Sequence, residues 1–402
     1  MSGPDDGEGH AGVGAPEPGV PGILDAEGVV FLGPGAMEIA RYRVDPPGPG
    51  EVRIRMAASG VCHSDLHVLD GDWTRPAPTV MGHEGAGWVE SVGPNPATNG
   101  PRVGDFVVLA WTAPCGRCAS CRRAEGWLCL SPAGSGHRLR PADVRIRRPD
   151  GSALGAYSGI GTLGSVQVVA ADAAIRVDPR TDPAVAALIG CAITTGVGAV
   201  TRTARVRPGG SVAVIGLGGV GLAAVLGARL AGARRIVAID RLAAKLDRAI
   251  ELGATHAIVA AASPAATAAA VRSLLADGGT LGTADGVDHA FETSGTMSGV
   301  ETAVAVVRPG GTTVLVGMPA QGARVGLDVY AFVESGARIL ASNYGSAVPA
   351  EIFPEIARHA VNGSLPVERL IEARIGLAGV PAAFDALRRG DGARRVVIFS
   401  TP

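Results

Sequence analysis

The sequence predicts an α/β protein in which a six-stranded, doubly wound parallel sheet is joined to a second, mainly β domain. Three features of its 402 residues predict this. Between Ser211 and Asp240 the chain reads strand, glycine turn, helix, strand, acid. Strand and helix patterns then alternate to about residue 341. From Ile23 to about Asp178, short alternating segments are instead broken by Gly and Pro, as in a half-buried antiparallel region.

The elements follow in order. Residues 1–22 are rich in Gly, Pro and acids with no apolar centre, so a disordered tail is expected rather than an export signal. Glu51-Val-Arg-Ile-Arg-Met-Ala57 has period two and reads as a strand. It delivers the chain to Gly60-Val-Cys62-His63-Ser64-Asp65-Leu66-His67. Then come Gly82-His83-Glu84-Gly85-Ala86-Gly87, a strand at 103–109, a cysteine cluster at 115–129 and an arginine-rich loop, densest at 138–148. Asp182-Pro183 caps a helix, and Gly190-Cys191-Ala192-Ile193-Thr194-Thr195-Gly196 is expected to begin another. After Asp240, strands are expected near 256–259, 287–291, 312–316 and 338–341, completing six parallel strands. From about 342 the chain reads as two helices and a last strand, Arg395-Val-Val-Ile-Phe399, which returns to the first domain.

The glycine turn carries the first chemistry. In Gly216-Leu-Gly218-Gly219-Val-Gly221, the first glycine permits the tight turn, the second lets the backbone approach a pyrophosphate, and the third lets helix and sheet pack closely. The phosphates then meet the free N–H groups of a helix N-terminus. Asp240, nineteen residues after Gly221, is placed to bind an adenosine ribose and to repel a 2'-phosphate, which predicts NAD rather than NADP. Lys245, the only lysine in the chain, lies five residues further on, where a flexible ammonium suits the ribose better than an arginine fork. This is a Rossmann domain.

Composition excludes other classes. With 36 basic and 37 acidic residues, the net charge of −1 leaves no footprint for nucleic acid or an anionic membrane. Residues 212–228 carry no charge, but five glycines and a strand-like start argue against a membrane helix, and no other segment is expected to cross a bilayer. A cytoplasmic protein is expected.

Six cysteines divide into two groups. Cys115, Cys118, Cys121 and Cys129 sit at ligand spacing in a compact loop, which predicts a structural zinc closed by four thiolates. Arg117, Arg122 and Arg123 lie among them and could offset their charge. Cys62, Cys191 and His83 each sit in a Gly-flanked turn. Singly, each could be a small buried residue; together they would make a three-ligand zinc site with a vacant fourth position.

These motifs give the chain a specific resemblance, running from residue 23 to the end. It resembles the zinc-dependent medium-chain dehydrogenases/reductases, in the alcohol dehydrogenase branch with a structural zinc lobe, and is similar to bacterial members that oxidise the formaldehyde adduct of mycothiol. The resemblance implies a GroES-like catalytic domain at 23–191 and 342–402, with the zinc lobe at about 113–130, and an NAD-binding domain at 192–341. It implies that Cys62, His83 and Cys191 hold a catalytic zinc, with Asp65 and Glu84 orienting the ligands. Ser64 would take the alcohol proton and His67 would pass it to solvent through the cofactor ribose. His63 matches a pyrophosphate contact that is arginine in many relatives, implying a weaker, pH-dependent hold. Arg394 or Arg395 matches a second phosphate contact. Thr195, Gly219, Val220 and Gly317 complete the implied cofactor set. Trp73, Trp111 and Tyr157 would face the substrate, unless they are core aromatics.

The expected activity is reversible hydride transfer between NAD(H) and a primary alcohol or aldehyde, aromatic or unbranched. One alternative is a mycothiol-adduct formaldehyde dehydrogenase, whose anionic conjugate the arginine loop could bind. Another is a double-bond reductase, against which Ser64 and His67 count. A third is a non-catalytic NAD-binding scaffold, which would predict damaged ligands where all are intact. A small-molecule substrate, no nucleic acid or membrane partner, and a homodimer or tetramer are expected.

Overall fold

The computed structural model of the protein describes residues 22–129, 144–276, 285–391 and 394–400. Residues 1–21 of the expected tail and 138–143 of the arginine loop lie outside these.

The N-terminal part supplies ten strands. They are β1 (Leu24–Gly33), β2 (Ala36–Val44), β3 (Glu51–Gly60), β4 (Thr79–Val80), β5 (Gly85–Val92), β6 (Phe106–Leu109), β7 (Ile146–Arg147), β8 (Gly155–Ala156), β9 (Val166–Ala170) and β10 (Ala174–Arg176). The next six are β11 (Ser211–Ile215), β12 (Arg235–Asp240), β13 (His256–Val259), β14 (Val287–Glu292), β15 (Val307–Leu315) and β16 (Arg338–Ala341). β17 (Ile371–Ile375) and β18 (Arg394–Ile398) close the chain.

β11 to β16 form the expected parallel sheet in the order β13-β12-β11-β14-β15-β16. Every residue of β11 is buried, because helices cover both faces of a parallel sheet and its central strands must be apolar throughout. Strand order reverses between β11 and β14, so the crevice beyond Ile215 and Glu292 is where such sheets take ligands. β15 begins earlier than its pattern suggests. A register shift between Val287 and His289 lets Val307 pair ahead of the Pro309-Gly310-Gly311 turn.

β18 pairs antiparallel with β3, so the chain end does return to the first domain. The sequence reading missed β17, which pairs parallel with β18. Its residues Ile371-Glu-Ala-Arg-Ile375 do alternate, with the apolar side chains half-buried and the charged ones exposed, but the period-two signal runs for only five residues.

Nor does a new helix begin at Gly190. One helical run spans Pro183–Thr203, started by the Asp182 carboxylate accepting from the Ala184 and Val185 N–H groups and widened into π-turns at Ile189–Ile193 and Ala199–Thr203. Contrary to expectation, this run is long and apolar enough to cross a membrane, but 89% of its most apolar 18-residue stretch is buried within the protein. It is a core helix, packed against helix Gly219–Leu230. A Cβ on Gly196 would lie 2.4 Å from the Val220 carbonyl oxygen, so only glycine allows that approach. Leu188, Ile189, Ile193 and Val200 are buried along it, each worth about 1.5–3 kcal/mol against exposure.

Candidate active site

The glycine turn is built as its chemistry requires. Gly216 has φ +88, which disfavours a side chain, and a Cβ on Gly221 would lie 1.9 Å from the Gly216 carbonyl oxygen. Gly218 differs: nothing lies within 4 Å of the point its Cβ would occupy, so its bare backbone faces open space above the N-terminus of helix Gly219–Leu230. That is a cradle for a phosphate. Asp240 ends β12 with Oδ2 accepting from the Leu217 N–H at 2.7 Å and Oδ1 from Leu242 at 3.0 Å. Val220 is half-buried in the first turn of that helix, and Lys245 is half-buried near the start of helix Ala243–Leu252. The Gly317 N–H donates to the Glu292 carbonyl, leaving no room for a Cβ, which would meet the Gly295 nitrogen at 2.2 Å.

Three elements converge on the candidate metal centre. Cys62 follows β3 and precedes helix His63–Leu69, His83 lies between β4 and β5, and Cys191 sits in the Ile189–Ile193 π-turn. A π-turn at such a place is a recurrent feature of functional helices. The ligand atoms of Cys62, His83, Glu84 and Cys191 all lie within 4.8 Å of one another, and all four residues are buried. Asp65 Oδ1 is 3.2 Å from His83 Nδ1 and accepts from the Gly82 N–H at 3.1 Å. Nε2 of His83 remains, buried and without a hydrogen-bond partner. An imidazole nitrogen orphaned beside two thiols fits a zinc ion.

Glu84 lies close to the three expected ligands. Its carboxylate belongs to the ligand cluster itself, with Oε1 accepting from the Ala192 N–H at 3.3 Å and Oε2 paired to Arg394. Arg394 is thus a buried counter-ion, and it also lies against Gly219, where an added Cβ would be 2.5 Å from its Cδ. It links the metal centre to the phosphate cradle, with its Nε buried and unpartnered. Arg395 pairs with Glu372.

The charges follow from this packing. Burial pushes the Glu84 carboxyl up to about 7 against the pull of Arg394. Burial opposes charging of His83, yet Asp65 and the two cysteines hold it well above the ordinary imidazole range. A hydrogen bond from Cys191 holds the Cys62 thiol well below its usual value, and the same bond and burial raise Cys191.

The second cysteine group also fits zinc. The four sulfurs lie within 4.8 Å of one another, and Cys118 and Cys129 sulfurs are 3.9 Å apart. Four zinc–sulfur bonds of about 2.3 Å in a tetrahedron give edges of about 3.8 Å. The expected arginine neutralisation differs in detail: Arg122 donates to the Arg117 carbonyl and Arg123 pairs with Glu125. Backbone N–H groups serve the sulfurs instead, Cys118 donating to Cys115 and Cys121 to Cys118. N–H groups of Arg117 and Cys118 push the Cys115 thiol down to about 6.

Ser64 and His67 lie in helix His63–Leu69, both half-buried. His67 Nδ1 is 2.7 Å from Asp72 Oδ2, and its ring stacks on Trp73 at 4.8 Å. His63 lies 5.1 Å from His67, and desolvation first, then His67, holds it below the ordinary histidine range. It therefore offers a hydrogen bond rather than a charge at neutral pH. Thr195 is half-buried in helix Thr194–Gly198.

Of the aromatic residues, Tyr157 stands edge-on to His83 at 5.6 Å. Burial pushes its phenol up to about 12, opposed by His83 and Arg75. Trp111 tilts against Tyr344 at 4.0 Å, and the Tyr344 hydroxyl donates to the Gly190 carbonyl beside Cys191. Trp73 is buried, and its Nε1 donates to the Pro319 carbonyl at 2.9 Å. Sequence reasoning missed Asp72 and Tyr344; an acid five residues past the relay histidine was the one visible signal. In the described part of the arginine loop, Arg145 pairs with Glu51, Arg147 with Asp45 and Arg148 with Glu38, so these arginines serve the fold.

The chain is similar to known proteins over most of its length. Residues 48–179 match the alcohol dehydrogenase GroES-like domain and residues 219–362 the zinc-binding dehydrogenase family. The S-(hydroxymethyl)glutathione dehydrogenase of Synechocystis sp. is 33% identical over 366 residues, 90% of this chain and 96% of that protein. The protein of that name from Escherichia coli O157:H7 is 34% identical over 380 residues, 94% of this chain and all of its own. The alcohol dehydrogenase zinc-binding domain protein from Burkholderia ambifaria superimposes with a TM-score of 0.87 at 32% identity, covering 94% of this chain and 100% of that one. The benzyl alcohol dehydrogenase of Acinetobacter calcoaceticus does so with a TM-score of 0.84 at 27% identity, with the same coverage. With two cysteine-based zinc sites and a dinucleotide turn in one chain, these matches make it an NAD-dependent enzyme that belongs to the zinc-dependent medium-chain alcohol dehydrogenase family.

Proposed function

We propose that the protein interconverts a primary alcohol, aromatic or unbranched, and its aldehyde, with Cys62, His83 and Cys191 holding the catalytic zinc and Cys115, Cys118, Cys121 and Cys129 the structural one. The carrying observation is the buried Cys62–His83–Cys191 cluster, with Ser64 and His67 on the adjoining helix and the Tyr157 ring edge-on to His83. When bound, zinc polarises the substrate oxygen and NAD accepts the hydride. Asp65 fixes the His83 ring so that Nε2 faces the thiols. Ser64 accepts the proton of the alcohol. Its relay partner His67 keeps Nε2 open as acceptor because Nδ1 is engaged by Asp72. Arg394 neutralises Glu84 and supports the phosphates over Gly218 and Gly219, with His63, Thr195 and Lys245 as further cofactor contacts.

The catalytic unit is assigned to residues 23–191 and 342–402 and the NAD-binding unit to 192–341, in a cytoplasmic chain. A homodimer through the outer edge of the large sheet is supported by Val329, Tyr330 and Val333, which are 65%, 78% and 72% exposed beside the edge strand β16. A tetramer would extend such a dimer.

A second reading, oxidation of a formaldehyde–thiol adduct, is favoured by the names of the curated relatives. The test is NADH formation by zinc-loaded protein with benzyl alcohol and short primary alcohols, and with formaldehyde in the presence and absence of mycothiol or glutathione. Turnover of simple alcohols without a thiol supports the first reading. Activity only with formaldehyde and a thiol replaces it by the second.

A further inference from the structure

We propose that Arg75 is an anion-binding residue beside the substrate site, and that the substrate carries a carboxylate in addition to its reacting hydroxyl or carbonyl group. The proposal rests on the alcohol dehydrogenase reading above and names the substrate class for that site.

Arg75 follows Trp73 in the loop between helix His63–Leu69 and β4. Its guanidinium carbon lies 5.9 Å from the centre of the Trp73 ring. Its one hydrogen bond among the described residues runs from Nη1 to the carbonyl of neighbouring Thr74 at 2.8 Å, and its Nε is buried with no partner. No carboxylate among the described residues pairs with it, whereas Arg145, Arg147, Arg148 and Arg388 each have one.

A guanidinium stays charged at any working pH, and partial burial without a counter-ion costs free energy. The Trp73 face offsets part of this cost and cancels no charge. Such a group is open to an anion, and its planar fork matches a carboxylate.

The place is also a built one. Trp73 is held by its hydrogen bond to Pro319 and stacks on His67, so the plate under Arg75 is fixed against the relay. Arg75 therefore stands over the ring that backs His67 without belonging to the proton relay. An alcohol with a ring carboxylate and the S-hydroxymethyl adduct of a carboxylate-bearing thiol share this chemistry.

The experiment compares kcat/KM within matched pairs on zinc-loaded protein with NAD: 3- and 4-(hydroxymethyl)benzoate against benzyl alcohol, and S-hydroxymethylglutathione against the 2-mercaptoethanol adduct. Wild type should favour the anionic member of at least one pair by about tenfold or more. That pair identifies the source of the carboxylate. In Arg75→Gln the ratio should fall to near one, and Arg75→Lys should restore part of it. Absence of an anion preference in both pairs, or an equal fall for both members of a pair in Arg75→Gln, overturns the proposal. If no member of either pair is oxidised, the alcohol dehydrogenase reading fails separately, and calorimetric titration with 4-(hydroxymethyl)benzoate and glutathione decides the role of Arg75. Binding that is lost in folded Arg75→Gln upholds it; equal binding, or none to either protein, overturns it.

Discussion

Asp65 is a buried carboxylate held against His83, one of the proposed zinc ligands. It engages Nδ1 of His83 and fixes which imidazole nitrogen is left for the thiols. Asp65→Asn keeps the shape but removes the charge, and zinc affinity at this site should fall about 10–100-fold, measured by competition with a chelator. An unchanged affinity would mean that packing alone orients His83. The candidate ligands stood out in the sequence because metal-binding residue types occur there close to glycines. Asp72 and Arg75 were not. Their meaning depends on which ring lies next to them, and neither the stacking of His67 on Trp73 nor the missing partner of Arg75 has a signature in spacing. Glu84 was legible as a site residue, but its membership of the ligand cluster follows from a backbone turn that spacing does not describe.

Among elements, the cysteine loop is a self-contained unit whose sulfurs are met by its own backbone N–H groups. Cys121→Ser should reduce zinc from two to one per chain by elemental analysis and lower the melting temperature; two zincs retained would refute the four-thiolate assignment. A second joint binds three strands of the large sheet. Asp288 in β14 accepts from the Ser211 N–H and hydroxyl at 2.8 Å each and pairs with Arg308 in β15 at 2.8 Å. Burial opposes its charge, but these donors hold its carboxyl below the usual range. A depressed pKa contributes stability above the unfolded value near 3.9, and that stability is lost as pH falls through the lower folded value. Wild type should therefore melt above Asp288→Asn at pH 6, and the gap should close toward pH 3. A gap independent of pH would assign the effect to shape alone. β11, β12, β13 and β16 were readable because apolar runs end at sharp punctuation. β17 was not, since its alternation of apolar and charged residues lasts only five positions.

For the whole molecule, the exposed apolar residues Val329, Tyr330 and Val333 sit beside the free edge of β16 and predict assembly. If the proposed homodimer forms through this edge, Tyr330→Glu with Val333→Glu should leave a monomer in light scattering with the helical circular dichroism signal in place. An unchanged mass would move the interface elsewhere. The doubly wound order was legible from strand–helix alternation, while the long helix Pro183–Thr203 was read as two because its glycines look like a break. That helix has a further consequence. It carries Cys191 in its middle, and its residues pack against both the first domain and the dinucleotide sheet. The join between the two halves of the protein is thus a rigid rod rather than a seam. A chimera made by exchanging one half with a relative's must take the rod whole, because a splice at residue 191 would hand the proposed third zinc ligand to one parent and the register that aims it to the other.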